Sequence, residues 1–230
     1  NRLTEMTSEL LGKEEAVYLP SGLMANQISF AVHCQPGDEI IMDETAHPIH
    51  YEGGACAVIS GASIQPISGN RGIFTAEQVE KAIRSSDYHD PQTRVVSIEQ
   101  TSNRGGGAVW PLPQLKEICN LAHERGLAAH MDGARLLNAV AASGIEAAQY
   151  AEYFDSVWID LSKGLGAPVG SVLAGSSEFI EKARYWKQRL GGAMRQAGII
   201  AAGGIYALEN NVERLEEDHK NAQKLVQGIA

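Results

Sequence analysis

"PLPQLKEICNLAHERGLAAHMDGAR", residues 111–135, carries a helix, its stop signal, a buried strand and a charged strand end in one run. A helix is predicted over 112–125. Pro111 stands at its start, its last turn is basic, and Gly126 follows directly. The stretch 127–131 then reads as a buried strand, so Asp132 falls at the carboxyl end of a strand.

The same alternation extends in both directions. Short apolar runs predict strands over 16–19, 39–42, 57–59, 94–98, 127–131, 156–161 and 171–174. Longer periodic segments predict helices over 23–33, 76–84, 112–125, 178–190 and 199–210. Strands rich in Val, Ile and Ala, separated by helices, indicate an α/β fold whose sheet is mixed but mostly parallel, with helices on both faces. In such sheets ligands collect at the carboxyl ends of strands, so the residues just beyond each strand are the candidate site.

Bulk properties narrow the function. The chain has 230 residues with 44% hydrophobic content, enough for a real core. A formal net charge of −9 without a Lys/Arg-rich run argues against a nucleic-acid partner. No apolar stretch approaches the ~20 residues of a membrane span, and no signal peptide opens the chain. Cys34, Cys56 and Cys119 are odd in number and widely spaced, which reads as buried free thiols in a reducing, cytoplasmic setting. Both ends fall inside helical patterns: Leu3, Met6, Leu10 and Leu11 form one stripe, and Leu215, Ala222, Leu225, Val226 and Ile229 another. The expectation is the middle of a longer protein, with a large domain over 1–211 and, over 212–230, the start of a helix leading to a small carboxy-terminal domain.

Four strand ends carry distinct chemistry. After Leu161 comes Lys163 among Gly, Ala, Pro and Ser; an amine buried there turns nucleophilic, while an exposed one is a snorkelling loop lysine. Asp132 needs a cationic partner, either Arg135 three residues on or a protonated ring nitrogen. Gly22 opens a helix directly after a strand, a corner suited to an anion. His47, held extended by Pro48, is a candidate to lie against a flat ligand or to sit at the surface; no second cluster points to a metal. A lysine for an aldehyde, an acid for a pyridine nitrogen, an anion corner and a flat neighbour together describe a site for pyridoxal 5'-phosphate. "NRGGGAV", 103–109, reads as a hairpin or flexible loop near that site rather than a second anion site.

These motifs resemble the threonine aldolase family, of the low-specificity L-threonine aldolase type, within the fold type I group of pyridoxal phosphate enzymes. The resemblance runs along nearly all of the chain through "PSGLMANQ" (20–27), "AHPIHYEGGA" (46–55), "AHMDGARLLNA" (129–139), "LSKGLGAPVGS" (161–171) and "GGAMRQAGIIAAGGIYAL" (191–208). It implies a lyase that cleaves the Cα–Cβ bond of a β-hydroxy-α-amino acid such as threonine, allo-threonine or phenylserine to glycine and an aldehyde. It implies Lys163 as the amine bonded to the coenzyme, Asp132 at the pyridine nitrogen, and Arg135 near the 3'-oxygen and the substrate. It further implies Gly22 and Leu23 at the phosphate, His47 on the ring and in proton transfer, and Arg195 reaching a phosphate across a subunit boundary in a homodimer or homotetramer. Leu23 replaces the usual threonine. Ser102 stands where relatives often have histidine near the substrate's β-hydroxyl, which leaves a water held by Ser102, a phosphate oxygen or His47 as the base. Aminotransferases, β-eliminating lyases and racemases share the lysine and the aspartate, and a non-catalytic module that kept the scaffold is a further alternative.

Overall fold

The predicted strands can be buried on both faces only if helices cover both, and the pattern of alternate side chains shows how this is done. A computed structural model describes residues 2–229; the ends of the predicted terminal segments, at residues 1 and 230, lie outside the described residues. In chain order the elements are α1 (Arg2–Leu11), β1 (Glu15–Leu19), α2 (Gly22–His33), β2 (Glu39–Asp43), α3 (His47–His50), a π-helical turn (Cys56–Ser60), β3 (Ser63–Ile67), α4 (Ala76–Ala82), β4 (Thr93–Glu99), α5 (Leu112–Glu124), β5 (Ala128–Gly133), α6 (Leu136–Ser143), α7 (Ala147–Ala151), β6 (Ser156–Asp160), β7 (Ser171–Gly175), α8 (Ser177–Arg189), α9 (Gly198–Asn210) and α10 (Leu215–Ile229).

The seven strands form one sheet in the order β1-β7-β6-β5-β4-β2-β3. β7 runs antiparallel to both its neighbours, and the other pairings, β2 with β3 and β4, β4 with β5, and β5 with β6, are parallel. Along β6, Val157 and Ile159 enter the larger apolar cluster with α5, while Trp158 joins Ala25 and Ile28 of α2 and Phe179 of α8 on the opposite face. Such two-sided burial is what continuous Val/Ile/Ala strands require. Helix α2 lies deep under the sheet: Ala25 through Ala31 are all buried, including the polar Asn26, Gln27 and Ser29.

The predicted strand at 57–59 is corrected. Residues Cys56–Ser60 form a π-helical turn, tied by Ser60 Oγ donating to Cys56 O at 2.8 Å and closed by Gly61 in the left-handed region (φ 69°). Val58 there is 83% exposed, so the apolar triplet never enters the sheet. The seventh strand is instead β3, at the sheet edge, where Pro66 removes no ladder bond the sheet depends on. The sequence pattern does not predict helices α3, α6 and α7, and His47, expected to be extended before Pro48, instead opens α3. Leu215 of the terminal stripe is buried, whereas Leu225, Val226 and Ile229 lie at the surface. Ser102 and Ala108 bridge the two sides of the glycine-rich loop, which is hairpin-like as expected.

Candidate active site

Five strand ends converge on one cavity of about 220 Å³. Gly22 and Leu23 follow β1, His47 follows β2, Glu99 ends β4 with Asn103 just beyond, Asp132 sits in β5 with Ala134 and Arg135 after it, and Trp158, Asp160 and Lys163 come from β6 and its loop. The register sets Glu99 beside Asp132 and Asp132 beside Trp158 across three adjacent strands.

Asp132 is 3% exposed. Its Oδ2 accepts from Asn26 Nδ2 at 2.9 Å and its Oδ1 from the Ala134 N–H at 3.1 Å. Among the described residues no Lys, Arg or His nitrogen forms an ion pair with it. The Asp132–Arg135 pair considered from the sequence is not formed; Arg135 Nη1 donates to Asn103 Oδ1 at 3.1 Å instead. Burial, with the Glu99 carboxylate beside it, pushes the Asp132 pKa up to about 7, against the Asn26 hydrogen bond and the Lys163 charge, which pull it down. A buried carboxylate with neutral hydrogen-bond donors and no ion-pair partner among the described residues fits a group that brings its own positive charge.

Lys163 is exposed on its loop rather than buried, and its Nζ stands 3.5 Å from Asp160 Oδ2 and 5.9 Å from the centre of the Trp158 ring. Asp160 Oδ1 also accepts from the Ser162 N–H and hydroxyl, both at 2.8 Å, so the carboxylate anchors the loop that carries the amine. At the far wall, Gly22 starts the twelve-residue α2. The Ser21 hydroxyl accepts from Met24 N, so the first N–H groups at Gly22 and Leu23 have no intrahelical acceptor and face the anion-favouring end of the helix. A Cβ at Gly22 would come within 2.3 Å of Trp158, so no larger residue fits that start.

His47 Nδ1 pairs with Glu52 Oε1 at 2.9 Å, and its backbone N–H donates to Glu99 Oε2 at 3.0 Å. The Glu52 hydrogen bond raises the His47 pKa above its ordinary value, partly offset by burial. Glu52 is fully buried at its side chain, also accepting from Asn26 Nδ2 (2.8 Å) and Gln27 Nε2 (2.6 Å).

Two anticipated residues lie outside this cavity. Arg195 is exposed on the turn between α8 and α9. Ser102 is buried in a smaller neighbouring cavity with Thr45, Gly72 and Phe74, where its hydroxyl accepts from Gly105 N at 3.2 Å. Six residues that the sequence reading passed over belong to the site or hold it: Asn26, Glu52, Glu99, Asn103, Trp158 and Asp160. For Asn26, Glu99 and Asp160 the signal was a polar residue within or ending an apolar run, Asn26-Gln27 within α2 above all.

The model of the beta-eliminating lyase family matches residues 1–230. The chain belongs to the beta-eliminating lyase family. It is 45% identical over 223 residues to the low specificity L-threonine aldolase of Escherichia coli (strain K12), covering 96% of this chain and 66% of that protein. It is 40% identical over 233 residues to the low-specificity L-threonine aldolase 1 of Arabidopsis thaliana, covering 99% of this chain and 65% of that one. The chain therefore spans about two thirds of the length of these curated relatives. The solved Leishmania major threonine aldolase superposes with a TM-score of 0.88 at 21% identity over 99% of this chain and 68% of that one, a match of fold. For this member of the beta-eliminating lyase family, the strand-end cavity thus sits on a scaffold shared with threonine aldolases.

Proposed function

We propose that the chain is the coenzyme-binding body of a pyridoxal phosphate-dependent lyase that cleaves a β-hydroxy-α-amino acid to glycine and an aldehyde. The observation that carries this reading is the meeting, in one cavity, of the Lys163 amine with Asp132, a buried carboxylate that forms no ion pair with a Lys, Arg or His among the described residues. The relatives' printed names supply the reaction type.

Pyridoxal phosphate, when bound, supplies an aldehyde for an amine and a ring that withdraws electrons from the substrate's Cα. Lys163 would hold it through its amine, Asp132 at the ring nitrogen, and Gly22 and Leu23 at the phosphate through N–H groups and the helix dipole. Opposite unit charges about 4 Å apart at an effective dielectric of about 20 attract by about 4 kcal/mol, enough to ionise Asp132 beside a cation despite its raised pKa. Arg135, fixed by Asn103, presents a cation on the cavity wall for anionic oxygens. His47, oriented by Glu52, is the side chain best placed to take the β-hydroxyl proton, because it lines the main cavity and Ser102 does not.

A β-eliminating reaction is the second reading, and the family description favours it. Three buried free thiols suit a reducing cytoplasm, and the exposure of Arg195 supports its serving a neighbouring copy in a dimer or tetramer. Among the described residues no helix is long and apolar enough to cross a membrane.

The test incubates the full chain with pyridoxal phosphate, reduces with borohydride and maps the adduct by mass spectrometry. The expected result is a single adduct on Lys163, absent in Lys163→Ala; no adduct on Lys163 overturns the reading. Product analysis with threonine, allo-threonine and phenylserine then separates glycine plus aldehyde from a keto acid, which would favour elimination.

A further inference from the structure

Beneath the cavity floor, between α2 and the sheet, lies a chain of buried polar groups that the reaction does not use directly. Its hub is Asn26, which is 0% exposed. Asn26 Nδ2 donates to Glu52 Oε1 at 2.8 Å and to Asp132 Oδ2 at 2.9 Å. Its Oδ1 lies 2.7 Å from Trp158 Nε1 and 3.1 Å from His130 Nε2. All four hydrogen-bonding positions of the amide are filled.

The direction of every bond follows. An indole N–H only donates, so Asn26 Oδ1 must face Trp158 and the amide N–H groups must face the two carboxylates. His130 must then carry its proton on Nε2, which leaves Nδ1 to accept from the Ser156 hydroxyl at 2.8 Å. The Ser156 oxygen in turn accepts from His33 Nε2 at 2.9 Å. The His33 ring stacks on Phe179 of α8, centroids 4.9 Å apart. Burial lowers the pKa of His33 to about 4 and of His130 to about 3, so both rings are neutral at ordinary pH and their tautomers stay fixed.

We propose that Asn26 is a positioning residue that keeps the Asp132 carboxylate ionisable and aimed at a pyridinium nitrogen, and that His130, Ser156 and His33 serve to lock the Asn26 amide in the one orientation that does this. Without the amide, Glu52 and Asp132 would be two buried carboxylates with no shared donor between them, and Asp132 would keep its proton. The inference rests on the coenzyme reading of the cavity.

The test compares two ligands on the coenzyme-free full chain, read by absorbance and fluorescence titration: pyridoxal phosphate, and its deaza analogue in which C–H replaces the ring nitrogen. The analogue keeps the aldehyde and phosphate but has nothing for Asp132 to pair with. Asn26→Ala is expected to weaken pyridoxal phosphate by ~10- to 100-fold, the effect of one hydrogen bond to a charged group, while leaving the analogue within about threefold. Ser156→Ala, which leaves Asn26 in place and frees the His130 tautomer, is expected to shift the same ratio in the same direction by a smaller factor, and it decides the matter if Asn26→Ala does not fold. Equal weakening of both ligands means a purely structural role and overturns the inference, as does unchanged binding of pyridoxal phosphate in both variants. A wild-type chain that binds neither ligand overturns the coenzyme reading itself, and the inference with it.

Discussion

Lys163 Nζ lies 3.5 Å from Asp160 Oδ2, three residues back at the end of β6, and the same carboxylate caps the Ser162 N–H and hydroxyl. One half-buried side chain therefore fixes both the turn and the amine it presents. Asp160→Ala is expected to lower unfolding free energy by about 0.5–1.5 kcal/mol through the lost hydrogen bonds, the Ser162 donors being exposed to water, and Asp160→Asn, which keeps an acceptor for Ser162, by less. Denaturant titration of the two variants without coenzyme checks this; equal losses would show that the Ser162 bonds contribute nothing.

Asp132 makes stability depend on pH in the coenzyme-free protein. Its folded pKa, about 7, is above the ordinary 3.8, so the folded state binds the proton more tightly than the unfolded state. Its contribution is therefore present at low pH and lost as pH rises from about 4 to about 7. The difference in unfolding free energy between wild type and Asp132→Ala should fall across that window and level off above it. A difference that grows with pH would mean that Asp132 is held ionised by a cation.

The Glu52 hydrogen bond raises the His47 pKa. If His47 accepts the β-hydroxyl proton, it works only when deprotonated, and the acid limb of the rate profile lies above the ordinary histidine range. Glu52→Gln removes the charge and should move that limb to lower pH. A limb that stays in place assigns it to another group.

Gly22→Ala forces a Cβ to within 2.3 Å of Trp158. The expected cost is about 1–3 kcal/mol in stability from overpacking, with a weaker hold on pyridoxal phosphate because the displaced helix start carries the free N–H groups. Thermal unfolding and coenzyme titration should move together; stability loss with intact coenzyme binding would place the phosphate elsewhere.

Ser102 is buried so closely that a Cβ at Gly72 would meet its hydroxyl at 2.1 Å and one at Gly105 at 2.7 Å. Ser102→His should therefore destabilise the chain by about 1–3 kcal/mol, where Ser102→Ala costs less. A stable histidine variant would show that this pair of loops yields easily.

Much of this was legible in the residues. The helix–strand unit at 111–135 placed Asp132 at a strand end, and the small residues around Lys163 marked the turn after β6 that brings it to the cavity, because turn signals and strand periods are local properties. What escaped was non-local. Asn26 reads as an ordinary mid-helix polar residue until the sheet puts Asp132 and Trp158 against it. Glu99 acquires its influence on Asp132 only through the β4–β5 register. The triplet 57–59 had strand composition, but Gly61 and the exposure of Val58 show that composition lost to a turn. Arg135 sat close enough in sequence to pair with Asp132, yet Asn103, on another loop, took it.

The residues that line the cavity are spread from position 22 to position 163, and no segment supplies more than a few of them. The pocket cannot exist in a fragment or a half-folded intermediate; it comes into being only when β1, β2, β4, β5 and β6 stand in register. A small molecule gripping those five tips would tie distant parts of the polypeptide together and favour the finished sheet by mass action. Occupancy by the coenzyme would then be a readout of complete folding as well as a condition for chemistry.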